Sequence, residues 1–143
     1  NPKTIELWVL DELEDEPMAT EVAVLSPTLM SASLEEIKQR NGEPPWHDRV
    51  IISNEFIVTA ICQPAGYEGD RHYHFKDECW FVAEGEIIWN MGEDVRTHAK
   101  AGDFVLAPKN TWHLIQPTGH TPSIRVAISV TGEPHRHDPE AIE

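Results

Sequence analysis

The stretch Gly66-Tyr67-Glu68-Gly69-Asp70-Arg71-His72-Tyr73-His74-Phe75-Lys76-Asp77-Glu78-Cys79-Trp80-Phe81-Val82-Ala83-Glu84-Gly85 decides how the chain is read. Its second half carries an apolar run, Cys79 to Val82, ahead of the turn signal Glu84-Gly85, and reads as a strand. His72 and His74 stand two residues apart, and on an extended chain such positions share one face. Glu78 has the same parity, so a short turn between them could bring its carboxylate to the imidazoles. Further on, Gly102-Asp103 leads into the run Phe104 to Ala107 and then Pro108-Lys109-Asn110-Thr111-Trp112-His113, where His113 can supply a third imidazole from another strand. Three neutral nitrogens and one carboxylate suit a borderline divalent ion. A six-coordinate ion held this way keeps two positions for water or substrate, which is the mark of a catalytic rather than a structural site.

Outward from this stretch, residues 50–131 alternate short apolar runs with Gly/Pro turns. The runs are Val50–Ile52, Phe56–Cys62, Cys79–Val82, Ile87–Met91, Phe104–Ala107, Trp112–Gln116 and Ile124–Val130. Strands at such spacing predict a β-sandwich or barrel. Residues 1–49 differ: apolar pieces around Ile5, Leu7, Val9 and Val22 to Leu25 flank an acidic run from Asp11 to Glu16, which reads as a solvated face. One helix is signalled there. Ser33 with Glu36 forms a capping box, Leu34 and Ile37 give an apolar side, and Asn41-Gly42 is a stop before Pro44-Pro45. We therefore expect an N-terminal extension (1–49) packing on a barrel (50–131), followed by a polar and loose C-terminal tail (132–143).

The charge balance bounds the partners. Over 143 residues, 11 basic and 25 acidic side chains leave 11 − 25 = −14, with no basic stripe to meet nucleic acid or an anionic membrane. No apolar run approaches the ~20 residues of a membrane helix. Cys62 and Cys79 read as reduced core thiols, and with no signal-peptide pattern at the N-terminus a cytoplasmic location is expected.

The pattern Gly66-x5-His72-x-His74-x3-Glu78-x6-Gly85 resembles the first cupin motif at every fixed position, and Gly102-x5-Pro108-x-Asn110-x2-His113 resembles the second. Asn110 stands where that motif usually has Gly, and Asn tolerates the left-handed backbone the turn needs. Pro117 stands where Asn is usual, beyond the ligand. The resemblance implies an all-β fold, a single double-stranded β-helix (jelly-roll) barrel with an N-terminal extension containing one short helix. It implies one divalent transition metal per chain held by His72, His74, Glu78 and His113, Fe(II) favoured, with Mn(II), Ni(II) or Zn(II) possible. The activity it implies is that of an Fe(II)-type dioxygenase on a small bidentate substrate, enediol, catechol-like or dicarbonyl. The alternatives are a redox-neutral lyase, isomerase or decarboxylase, or a non-catalytic small-molecule-binding cupin. Small cupins also commonly pair, so a homodimer is expected. The cupin lyases that break down dimethylsulfoniopropionate carry a Tyr two residues after the ligand Glu; Trp80 stands there, and an indole cannot abstract a proton.

Trp80 shares the ligands' parity and is read as core filler that also walls a pocket. Arg125, in mid-strand, reads either as an outward salt bridge or as an anchor for an acidic substrate. Tyr73 has the opposite parity and should face away from the site. His135-Arg136-His137 repeats the histidine spacing, but its polar neighbours make it part of the solvated tail, and no acid–base residue is evident beside the ligands.

Overall fold

The β-rich runs between the turns pair into sheets. The computed structural model describes residues 4–10, 17–23 and 31–142. Strands β1 (Thr4–Leu10) and β2 (Pro17–Ala23) form an antiparallel hairpin on their own. The acidic run expected as a solvated face lies outside the described residues. Helix α1 (Leu34–Asn41) begins where the capping box predicts: the Ser33 hydroxyl accepts the Glu36 amide at 3.5 Å, and Gly42, at φ 74°, closes the last turn. Its apolar side is short, with Ile37 buried against Trp46, Ala60, Cys62 and Ile124. The Trp46 indole donates to the Gly42 carbonyl at 3.0 Å, and Arg40 and Asn41 both bond Asp48 at 2.7 Å.

Eight further strands make two facing sheets. They are β3 (Trp46–Ile52), β4 (Phe56–Gln63), β5 (Glu78–Glu84), β6 (Glu86–Met91), β7 (Val95–Lys100), β8 (Phe104–Ala107), β9 (His113–Thr118) and β10 (Ser123–Val130). One sheet runs β3-β4-β10-β5-β8 and the other β7-β6-β9, all pairs antiparallel. This is the expected jelly roll. Trp80, Val82, Trp89, Ile87, Val105, Ile115 and Ala127 alternate inward and fill the space between the sheets. A short 3-10 turn, Pro139–Ala141, follows the last strand.

Four details depart from the sequence reading or explain it. Strand β7 was invisible as an apolar run because it is an edge strand with only Ala99 buried and Thr97 half-buried, while Val95, Arg96, His98 and Lys100 are exposed. Pro117 is tolerated inside β9 because β9 is also an edge; its carbonyl still accepts the Gly66 amide at 2.9 Å. Asn110 adopts φ 60°, the left-handed turn that the resemblance asked of it. Its amide then donates to the His74 carbonyl at 2.6 Å, so the turn before His113 also holds the first histidine pair. Cys62 is buried, whereas Cys79 is only half-buried, on the outer face of the five-stranded sheet.

Candidate metal centre

The four residues singled out from spacing arrive at one point by different routes. Glu78 opens β5, and His113 opens β9 in the other sheet. His72 precedes β5 and is tied to His113 by a two-way backbone bridge: the His72 amide donates to the His113 carbonyl at 3.1 Å, and the His113 amide returns the bond at 2.8 Å. One ligand atom each from His72, His74, Glu78 and His113 lies within 4.8 Å of the others, all four residues buried, and such a group could hold a metal ion.

The hydrogen bonds around the rings decide which nitrogen faces inward. Each Nδ1 meets a backbone carbonyl: His72 that of Asp70 at 3.1 Å, His74 that of Pro134 at 2.9 Å, and His113 that of Thr111 at 3.1 Å. A carbonyl only accepts, so each Nδ1 carries a proton and each ring turns its Nε2 to the centre. There the His72 and His113 Nε2 atoms lie 3.1 Å apart. His74 Nε2 and Glu78 Oε2 lie 2.9 Å apart, both buried, an imidazole–carboxylate contact that a proton or a metal ion can bridge. The facing His72 and His113 nitrogens are costly to bury unless a cation lies between them. The separations fit one, since adjacent donors about 2.1 Å from a shared ion are about 3 Å from each other.

The charges are consistent with that role. Burial alone would raise the Glu78 carboxyl, yet the His74 contact, the Ser129 hydroxyl donating to Oε1 at 2.6 Å and the neighbouring His113 bring it below the usual carboxylate range. Burial, with His72 beside it, pushes His113 down to about 4. For His74, burial works against protonation but the adjacent carboxylate outweighs it, and its pKa is raised. Thus Glu78 is anionic and His113 neutral at pH 7, the states that bind metals.

Beside the cluster opens a cavity of about 360 Å³, lined by Gln63, Tyr67, Glu68, Gly69, Asp70, His72, Glu78, Trp80, Ile115, Arg125 and His135. Its volume lies within the usual range for small-molecule sites, about 300–1,000 Å³. A second space, of about 40 Å³, reaches the other side of Glu78 past His74 and Ser129. Trp80 is buried, its ring 5.4 Å from that of His113 in a T-shaped contact. Arg125 is not on the outer surface, which corrects the outward-facing reading: it is 4% exposed, lies on the cavity wall and donates from Nη1 to Gln63 Oε1 at 2.6 Å. The reason is parity, because Arg125, Ala127 and Ser129 share the inward face of β10. Tyr73 points away from the cluster but is fully buried, its hydroxyl donating to the Asp138 carbonyl.

The tail is the largest correction. Residues after Gly132 were expected to be loose, yet Arg136 exchanges backbone bonds with Tyr73 at 3.0 and 3.1 Å, and His135 stacks on His72 with ring centres 3.6 Å apart and 7° between planes. Burial between His72 and His74 pushes His135 down to about 3. Asp70 meets His137 Nε2 at 2.8 Å and lies 3.5 Å from His135 Nδ1; the His72 and His137 rings hold its carboxyl well below the usual range. The repeated His-x-His spacing was the available signal for this. Its polar neighbours concealed it, because Glu133 and the Pro134 carbonyl bond Phe75 and His74.

The sequence profile described as "Cupin domain" matches residues 58–131. No protein of curated function matches the chain. Among solved structures, an uncharacterized conserved protein with a double-stranded β-helix domain from Klebsiella pneumoniae is 25% identical, with a TM-score of 0.63 over 76% of this chain and 98% of that one. A Bacillus halodurans protein is 20% identical, with a TM-score of 0.64 over 80% of this chain and 87% of its own. KdgF from a Halomonas species is 20% identical, with a TM-score of 0.53 over 61% of this chain and 82% of its own. Among the described residues no helix is long and apolar enough to cross a membrane.

Proposed function

The chain belongs to the cupin family, and on that premise we propose that it is a metal-dependent enzyme, an Fe(II)-type dioxygenase acting on a small bidentate substrate of the enediol, catechol-like or dicarbonyl kind. One observation carries the reading: a buried set of three imidazoles and one carboxylate opens directly on a cavity of about 360 Å³. His72, His74, Glu78 and His113 would hold the ion. When bound, such an ion supplies Lewis acidity and, as Fe(II), one-electron chemistry with O₂. The protein's own part is binding and orientation. Arg125, on the cavity wall with Gln63, offers a cationic end to an acidic group of the substrate. Trp80 and Ile115 line the cavity with apolar surface and limit water.

A second reading, redox-neutral lyase, isomerase or decarboxylase chemistry, is favoured by the groups that can move protons in the same cavity. Tyr67, Glu68, Asp70 and His135 all line it, although none stood out beside the ligands in the sequence. The two separate cleanly in one assay series. Fe(II)-loaded protein is expected to consume O₂ with a member of a diketone and catechol panel. Turnover under nitrogen with Mn(II) or Ni(II) would instead establish the redox-neutral reading. Tight ligand binding without turnover in either would leave a binding protein.

We infer a homodimer from the outer face of the five-stranded sheet. The cross-strand row Leu106–Cys79–Ile128–Val58–Ile51 spans all five strands, flanked by Phe104, Phe56 and Val130. Phe104 is 81% exposed and Leu106 55%. Helix α1 covers the other end of this face, with Ile37 over Ala60 and Cys62, and among the described residues nothing comparable covers this end. A continuous apolar surface of this kind suits an isologous contact about a two-fold axis. Light scattering should give twice 16.2 kDa, and Phe104→Asp with Leu106→Asp should halve it. A monomer in the parent protein would overturn the inference.

A further inference from the structure

The metal centre has an outer wall that comes from the far end of the chain. Residues Glu133 to Asp138 run antiparallel to Tyr73 and are fastened to it on both sides of the centre. The Glu133 carboxylate accepts the Phe75 amide at 2.7 Å and the Arg136 Nε at 3.1 Å. The Arg136 guanidinium lies 3.7 Å from the centre of the Phe75 ring, and the Tyr73 hydroxyl donates to the Asp138 carbonyl. Between these fastenings, two groups of the segment touch metal-site histidines. The Pro134 carbonyl takes the Nδ1 proton of His74 at 2.9 Å, and the His135 ring lies flat on that of His72.

We propose that residues Glu133 to Asp138 are a positioning strap for the metal centre, the Pro134 carbonyl selecting the tautomer of His74 and the His135 ring fixing the plane of His72. The proposal rests on the metal-site reading above and adds to it a segment outside the sequence motifs. The physical reason is that a strand presents a side chain but does not fix its ring torsion or its tautomer. His72 finds its carbonyl two residues back, at Asp70, and His113 likewise at Thr111. His74 has no such local acceptor; its partner is 60 residues distant, so its donor nitrogen depends on the strap. Outer partners of metal-bound histidines typically account for about 10–100-fold in metal affinity. His135 acts on the plane of the His72 ring through stacking, a role an apolar ring can also fill.

The test uses full-length protein carrying Tyr73→Phe with Glu133→Ala, which removes two fastenings and no ligand, together with His135→Ala and His135→Phe. Long-range ¹H–¹⁵N spectra of the metal-free protein, recorded at a pH high enough that His74 is neutral, report its tautomer, and Co(II) titration reports affinity and ligand field. The parent should show His74 protonated at Nδ1. The double variant should show mixed tautomers and bind Co(II) about 10–100-fold more weakly. His135→Ala should weaken Co(II) binding several-fold, and His135→Phe should restore it. The proposal falls if the double variant, folded by circular dichroism, keeps the Nδ1 tautomer and binds Co(II) within twofold of the parent. It falls equally if His135→Phe binds as weakly as His135→Ala. Should the double variant not fold, the His135 pair decides. A parent that binds no Co(II), yet whose His74 tautomer responds to the double variant, would sink the metal reading while leaving the strap's hold on His74 established.

Discussion

His113→Ala is expected to abolish metal retention while leaving the fold in place. Protein purified without added metal should carry close to one equivalent of a divalent transition ion, and the variant less than about a tenth of that. The expectation follows from where His113 sits. The other three candidate ligands, His72, His74 and Glu78, lie within or just before β5, whereas His113 alone comes from β9 in the opposite sheet. Its Nε2 is 3.1 Å from that of His72 and 3.7 Å from Glu78 Oε2, so its loss opens one side of the donor set. The fold should survive because the tie between the sheets at this point is made by backbone. The amide and carbonyl of residue 113 bond those of His72 whatever the side chain.

A stability measurement sharpens the test. At a free metal concentration 100 times the dissociation constant, the parent gains about 2.7 kcal/mol over its metal-free form. For a domain of this size that is a rise of roughly 6–10 °C in Tm. His113→Ala should show no rise, and its metal-free Tm should lie within a few degrees of the metal-free parent. A variant that keeps its equivalent of metal would remove His113 from the ligand set. A parent that takes up no metal would sink both enzyme readings.

What could be read from the chain, and what could not, divides by the range of the interaction involved. The capping box at Ser33, the left-handed Asn110 and the turn glycines express local backbone preferences, and each sits where its neighbours in sequence place it. The histidine pair was legible because strand parity is also local. Strand β7 was not, since an edge strand that buries only Ala99 has no apolar alternation to display. Arg125 was ambiguous because one residue's parity means nothing until the register of β10 against β4 and β5 is known. Residues 133–138 were missed for the opposite reason: much of their polarity is used, with Glu133, the Pro134 carbonyl and His137 meeting partners in residues 70–75, and composition cannot distinguish that from solvation.

Trp80→Ala is expected to produce the largest loss of stability of any single substitution in the cavity wall. The indole is 1% exposed and packs against Trp89, with ring centres 5.6 Å apart, and against His113. Its cross-strand neighbours on either side are Ala127 and Val105, small residues that leave it the space between the sheets. Truncating a buried aromatic of this kind costs about 3–5 kcal/mol, because little around it can collapse into the void. Denaturant unfolding should show that loss as a lower midpoint with an unchanged slope. Trp80→Phe isolates the other half of the residue's character. The Nε1–H is buried without a hydrogen-bond partner, a liability of about 1–3 kcal/mol that phenylalanine removes along with some apolar area. The two changes oppose each other, so Trp80→Phe should cost no more than about 1 kcal/mol. If Trp80 is also the substrate's wall, the smaller phenylalanine changes the surface that the substrate meets. Trp80→Phe should then raise KM in the oxygen-uptake assay while stability scarcely moves. Unchanged KM would confine Trp80 to the core, and a loss of stability as large as that of Trp80→Ala would show that the indole N–H already has a partner in the folded protein.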